Sequence, residues 1–141
     1  MKMLTFISLV FAQISLTAQL KVSITGLRNN SGTVLLGFYT SDKAFEDETP
    51  LFSKTESKAS TVNHVLTITY NGLKPGTYGI VLLDDENNNA KMDFGWILPQ
   101  EGYGFSNYYH TGMTKPKLAK FSFTITNTNE PKAVEIKVKY M

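Results

Sequence analysis

Residues 73–85 read Leu73-Lys-Pro-Gly-Thr-Tyr-Gly-Ile-Val-Leu-Leu-Asp-Asp85, a turn followed by an apolar run. Pro-Gly is a strong turn signal, and five consecutive small or apolar residues after it are typical of a strand that is buried on both faces. The sequence therefore predicts a central strand at Gly79–Leu83. This strand would deliver Asp84 and Asp85 to the point where the chain leaves the sheet.

The segments around this strand have the two-residue alternation of half-buried strands. Polar turns separate them, and helical periodicity is confined to a short turn near Phe45. The turn at residues 29–32 predicts a hairpin between the two strands that flank it. We predict an all-β fold, an antiparallel β-sandwich of the immunoglobulin-like or transthyretin-like kind. The other predicted strands cover residues 20–26, 33–40, 61–70, 118–126 and 133–140, with an edge strand within 51–60.

A long segment follows the central strand, and we predict that Asp84–Asn107 forms one elaborate loop. Most connections in compact domains have about 4–6 residues, so a loop of this length is usually functional or held by its own packing.

The N-terminus has the layout of a secretory signal peptide over residues 1–18, with Lys2, an apolar stretch and a small residue at Ala18. We therefore expect an exported protein, periplasmic or extracellular, with a single domain at 19–141. The predicted mature chain has no segment of about 20 apolar residues, so no transmembrane segment is expected. A formal charge of +2 does not favour nucleic acid as a partner, and the absence of cysteine excludes disulfides and thiolate metal sites.

Three strings of the sequence stand out together: Leu73-Lys-Pro-Gly-Thr-Tyr-Gly-Ile80, Asp85-Glu-Asn-Asn-Asn-Ala-Lys-Met-Asp93 and Pro99-Gln-Glu-Gly-Tyr-Gly-Phe-Ser-Asn107. With them the chain resembles the exported bacterial family named domain of unknown function 2141. The resemblance implies export and a β-sandwich, and it implies no known activity. Asn88 and Ala90 stand where the family often has glycine, and Asp84 stands where it often has histidine.

The polar part of the loop has the alternating oxygen ligands of a calcium site. Two interpretations stay open: a calcium ion bound by these residues, or a turn in which the side chains bond their own backbone amides. No other cofactor is predicted. The proposed ligands are Asp85, Asn87, Asn89, the Lys91 carbonyl and Asp93, completed by the more distant Glu101.

Aromatic residues fill the rest of the loop. They either contact a carbohydrate or protein ligand or anchor the loop by packing, which is the favoured interpretation because large rings bury much apolar area. Tyr108 and Tyr109 are expected to stay partly exposed. The candidate binding residues are Trp96, Tyr103, Phe105, Tyr108, Tyr109 and His110.

Catalysis would require a hydrolase site built from Asp93, Glu101 and His110. The chain contains no Gly-x-Ser-x-Gly or His-Glu-x-x-His string, and nothing in the sequence fixes the distance between these groups. We therefore predict a non-enzymatic module of the cell envelope that binds or scaffolds an unidentified carbohydrate or protein. A small hydrolase and a purely structural envelope protein are the alternatives.

Overall fold

The computed structural model of the protein describes residues 18–90, 101–127 and 130–141. The predicted signal peptide lies outside them except for Ala18, which is buried and begins the first strand. In the described residues there are eight strands, a short α-helix and a 3-10 helix. They are β1 Ala18–Thr25, β2 Thr33–Tyr39, α1 Asp42–Glu46, β3 Phe52–Ser57, β4 Leu66–Leu73, β5 Gly76–Asp85, β6 Gly102–Phe105, the 3-10 helix Leu118–Lys120, β7 Ser122–Ile125 and β8 Lys132–Lys137.

Within this part of the chain the strands form two sheets. The three-stranded sheet has the order β4-β1-β8, and the five-stranded sheet has the order β3-β2-β5-β6, with β7 also paired to β5. The predicted all-β sandwich is confirmed, and β5 is central as expected. One pairing departs from an antiparallel arrangement, because β1 and β8 run parallel from Leu20↔Lys132 to Thr25↔Lys137.

The core lies between the two sheets. Alternate residues of both sheets face inward and are buried, as a sandwich requires, and each fully buried Leu, Ile, Val or Phe contributes about 1.5–3 kcal/mol to stability. The core residues that are fully buried are Leu20, Val22, Ile24, Leu27, Val34, Leu36, Phe38, Ile80, Leu82 and Ile136.

A second, smaller core covers the outer face of the five-stranded sheet. Phe45 of α1 packs edge-on against Phe105 and Phe121, with ring centroids 6.1 and 5.4 Å apart. The predicted helical turn near Phe45 is present as α1, which starts after Ser41 because the Ser41 side chain accepts a hydrogen bond from the Ala44 amide at 3.1 Å. The outer face of this sheet is therefore apolar and covered near β6.

Two predictions about connections are wrong. Residues 29–32 do not close a hairpin, because β1 and β2 belong to different sheets and the chain crosses from one sheet to the other at this turn. The segment Asp84–Asn107 is not one continuous loop, because β6 pairs with β5 from Val81↔Phe105 to Asp84↔Gly102. In addition, Leu118–Lys120 forms a 3-10 helix where a strand was predicted to start.

The two sides of the sandwich differ. On one side β6 and the residues that follow it bond to the β8 segment: the Tyr103 and Lys139 backbones exchange hydrogen bonds of 3.0 and 2.8 Å, and the Asn107 amide donates to Glu135 O at 2.7 Å. We call this the closed side. On the other side β3 and β4 are both sheet edges, and no described strand pairs with their outer edges. We call this the open side.

No helix in the described residues has the length and apolar character needed to cross a membrane.

Candidate functional site

The Asp/Asn turn begins where β5 ends. Asp85 is buried, and its two carboxylate oxygens accept hydrogen bonds from the Asn89 amide at 3.0 Å and the Ala90 amide at 2.8 Å. The Asn87 side chain also accepts from the Asn89 amide at 3.2 Å. These are the bonds that the self-bonded turn interpretation predicts. In this half of the loop, Asp85 acts as the acceptor around which the backbone folds.

The backbone of the turn is in the left-handed conformation at two positions. Asn88 and Ala90 have φ of 56° and 57°, in the left-handed region that favours glycine. Asparagine tolerates this region, whereas alanine pays a steric cost of about 1–2 kcal/mol there. The turn therefore keeps its shape in this chain in spite of the residue at position 90.

Of the remaining proposed calcium ligands, the structure describes only Glu101. Glu101 is buried one residue before β6, while Lys91 and Asp93 lie outside the described residues, as does Trp96. The described residues contain no group of three or more His, Asp or Glu side chains that converge as metal ligands. The calcium site stays a prediction.

A buried ionic cluster lies directly beside this turn, and sequence reasoning missed it. Lys58 and Asp84 are both fully buried, with Lys58 Nζ 2.6 Å from Asp84 Oδ1. The Tyr140 hydroxyl donates to Asp84 Oδ2 at 2.5 Å. We call Lys58, Asp84 and Tyr140 the buried trio. It joins the residue after β3, the end of β5 and the tail after β8.

The environment of the buried trio favours neutral Tyr140. Burial raises the pKa of the Tyr140 hydroxyl well above its usual value, and its hydrogen bond to the Asp84 carboxylate raises it further. Lys58 also donates to the Asn29 side chain at 2.9 Å. Both charges of the pair therefore have hydrogen-bonding or ionic partners, which a buried ion pair requires.

A surface ion pair lies over the trio. Arg28 Nε and Nη2 bond to the two Glu86 oxygens at 2.6 and 2.9 Å, and the guanidinium lies 4.5 Å from the centre of the Tyr140 ring. The hydrogen bond from Arg28 holds the pKa of the Glu86 carboxyl below its usual range, against the opposing effect of partial burial. The arrangement fixes the turn after β1 against the turn after β5, and it offers no open carboxylate for acid or base chemistry.

The predicted aromatic residues divide into two groups. Phe105 is buried in the smaller core, so it anchors the chain as the packing interpretation predicts. Tyr109 is 45% exposed, and Tyr108 is half-buried, as expected. Tyr103 is half-buried beside Phe105, with ring centroids 6.0 Å apart.

His110 is fixed by its neighbours. Its ring packs edge-on against Phe105, Nε2 lies 2.5 Å from the Thr114 carbonyl oxygen, and Nδ1 lies 3.4 Å from the Tyr108 hydroxyl. Both ring nitrogens are thus in contact with polar groups of its own segment. Ser106, the serine nearest to it in sequence, is buried and bonds to the backbone of Ile80 and Phe121.

The comparison with known proteins defines the family alone. No curated protein and no solved structure matches the chain. A family model matches residues 22–133, from β1 to the start of β8, and this range includes the Asp/Asn turn and β6. The chain therefore belongs to the family described as "uncharacterized protein conserved in bacteria (DUF2141)".

Proposed function

We propose that this domain is a non-enzymatic binding or scaffolding module, exported to the bacterial cell envelope, where it contacts a carbohydrate or a protein. The contact surface consists of Tyr103, Tyr108, Tyr109 and His110, which we call the ring surface. It lies along the closed side, where the chain leaves β6 and runs beside the β8 segment.

The observation that supports this proposal is that these rings are accessible and yet held in place. Tyr109 is 45% exposed, and Lys137 Nζ lies 5.2 Å from the centre of its ring. The His110 carbonyl oxygen accepts a hydrogen bond from Lys139 at 3.3 Å. Rings that are fixed before binding lose little conformational freedom on contact, and Tyr combines a large apolar face with a polar hydroxyl.

The Asp/Asn turn supports a scaffolding role near this surface. Asp85 orders residues 85–90 through its two amide hydrogen bonds, and the buried trio fixes the end of β5 from which the turn departs. A turn organised from within is suited to hold residues 85–90 in one shape. Calcium bound at this turn would add to that order, and it would raise the melting midpoint of the protein.

The hydrolase alternative has less support. His110 is engaged by Thr114 and Tyr108, and the Glu101 side chain is buried. General acid or base catalysis needs a titratable group that can reach a substrate in a cleft.

The experiment is co-sedimentation of the purified protein with two envelope fractions of the producing bacterium, the insoluble cell-wall polysaccharide and the membrane proteins. We expect retention on one of them, and Tyr109→Ala should weaken it about tenfold, as the loss of an aromatic contact does at other interfaces. Val62→Ala is the matched control, because Val62 is 67% exposed and lies outside the ring surface. Equal retention of both variants, or no retention of the native protein, would refute the proposal.

A further inference from the structure

The open side carries a groove that is separate from the ring surface. It has a volume of about 400 Å³ and lies between the two edge strands β3 and β4. Its apolar lining includes Phe52 and Tyr70, which pack on Phe38 with ring centroids 4.4 and 5.9 Å away, and Leu51, which is 62% exposed. This region therefore offers apolar surface next to strand edges that no described strand covers.

The free edge of β3 has backbone groups available for pairing. In an antiparallel sheet the N–H and C=O groups of alternate residues point to opposite neighbours, so half of those in Phe52–Ser57 point away from β2. An uncovered edge of this kind is a template for an added strand.

Lys54 makes the edge of β3 unfavourable for pairing with an apolar strand. Phe52, Lys54 and Glu56 share one face of β3, since side chains alternate along a strand. Phe52 stacks on Phe38, and Glu56 accepts a hydrogen bond from Tyr70 of the opposite sheet at 3.1 Å, so this face is the inner one. Lys54 lies between them and lines the groove. An inward-facing lysine on an edge strand opposes pairing with an apolar strand, because its charge would have to be buried.

Two positive charges line the groove without a carboxylate partner. Among the described residues, neither Lys54 nor Lys74 has an acidic oxygen within the 4.0 Å of a salt bridge. By contrast, the neighbouring Lys58 is paired with Asp84. No described carboxylate therefore neutralises these two lysines through a salt bridge, and the nearby Glu56 carboxylate is bonded to Tyr70.

We propose that the open side binds an extended peptide that pairs with the edge of β3 and places an acidic side chain opposite Lys54. An apolar side chain two residues away would lie opposite Phe52 and fill the groove. The ligand pattern is acid-x-apolar in either chain direction. A second copy of this chain fits less well, because the acidic side chain of its own β3, Glu56, is bonded to Tyr70.

The probe is a capped synthetic peptide of alternating threonine and valine, with glutamate in place of one central valine. Binding is followed by NMR of the backbone amides. We expect slower hydrogen exchange at Phe52–Ser57, and about fivefold tighter binding than that of the same peptide with glutamine, the size of an exposed ion pair. Lys54→Gln should abolish this difference, whereas Lys21→Gln, at an exposed position of β1, should preserve it.

Four results would overturn the proposal. A peptide with N-methylated backbone amides cannot pair with a strand edge, so equal binding of that peptide would rule out strand addition. Protection at Leu66–Leu73 in place of β3, or no binding at millimolar peptide, would also refute it. So would a dimer in sedimentation that Lys54→Gln dissociates, because the occupant would then be a second copy. Conversely, Lys54→Glu should prefer the peptide in which lysine replaces the glutamate.

Discussion

The closed side and the open side of the sandwich differ in how the edges of the two sheets are covered. Where β6 meets the β8 segment, main-chain hydrogen bonds join the two sheets, so few backbone groups remain for a partner. Where β3 faces β4, the sheets separate into a groove, and an inward-facing lysine stands at the edge. The closed side can present only side chains to a ligand, whereas the open side can also present backbone groups. This difference places the ring surface on one side and the peptide groove on the other.

The buried trio connects the two sides, and breaking it should have the largest effect. Lys58→Met leaves the Asp84 carboxylate buried without its cation, which typically costs about 3–5 kcal/mol. We expect this loss in the free energy of unfolding measured with urea. Arg28→Met is the control, because an exposed ion pair is worth about 1 kcal/mol or less. Similar losses in the free energy of unfolding of both variants would mean that the buried trio does not hold the two sides together.

The close approach of β6 to the β8 segment can be tested at Gly104. A Cβ at this position would lie 2.7 Å from Ile136 Cγ2 and 2.9 Å from the Lys137 carbonyl oxygen, which belongs to the backbone and cannot rotate away. We expect Gly104→Ala to destabilise the protein by about 1–3 kcal/mol. Ser53→Ala, at an exposed position of β3 on the open side, should change stability by less than about 0.5 kcal/mol. If the two variants unfold at the same urea concentration, the closed side is not tightly packed.

The turn after β5 can be tested with a substitution at position 90 that should raise the stability of the protein. Ala90→Gly relieves the positive φ of 57°, so we expect stability to rise by about 0.5–1 kcal/mol after the greater freedom of glycine in the unfolded chain is subtracted. The matched control is Ala133→Gly in β8, where φ is not positive and the same change should be destabilising. A loss at both positions would show that the turn does not hold residue 90 in this conformation.

The smallest effect is expected from calcium. Asp85 already satisfies the Asn89 and Ala90 amides, so we expect the same melting midpoint in millimolar calcium and in chelator. An ion that binds only the native state must raise the midpoint by mass action. A calcium-dependent rise that is lost in Asp85→Asn would therefore establish the calcium-bound interpretation of the loop.

Local sequence patterns predicted most of the strands but not their partners. Alternation identified β1, β4 and β8, because each has one buried face, and the apolar run at Gly79–Leu83 identified the central strand. The same patterns contain no information on which strands pair. The turn at residues 29–32 therefore predicted a hairpin where the chain in fact changes sheets.

The contacts of the candidate site were predicted only where the residues involved are close in sequence. Asp85 and Asn89 are four residues apart, so their turn could be anticipated from turn chemistry. Lys58 and Asp84 are far apart in sequence, and a lysine after an exposed strand gives no sign that it will be buried. Strand β6 was missed because Gly102 and Gly104 weaken a strand pattern, although these glycines are what allows the β8 segment to approach.

The parallel pairing of β1 with β8 also bears on the order in which the molecule can assemble. Strand β1 lies at the middle of its sheet, and one of its two neighbours, β8, comes last in the chain among the described strands. Until residues 132–137 emerge, β1 and β4 can form no more than a two-stranded ribbon, which is marginally stable in water. The three-stranded layer therefore cannot be completed before residues 132–137 are available, whereas all strands of the other sheet precede them in the chain.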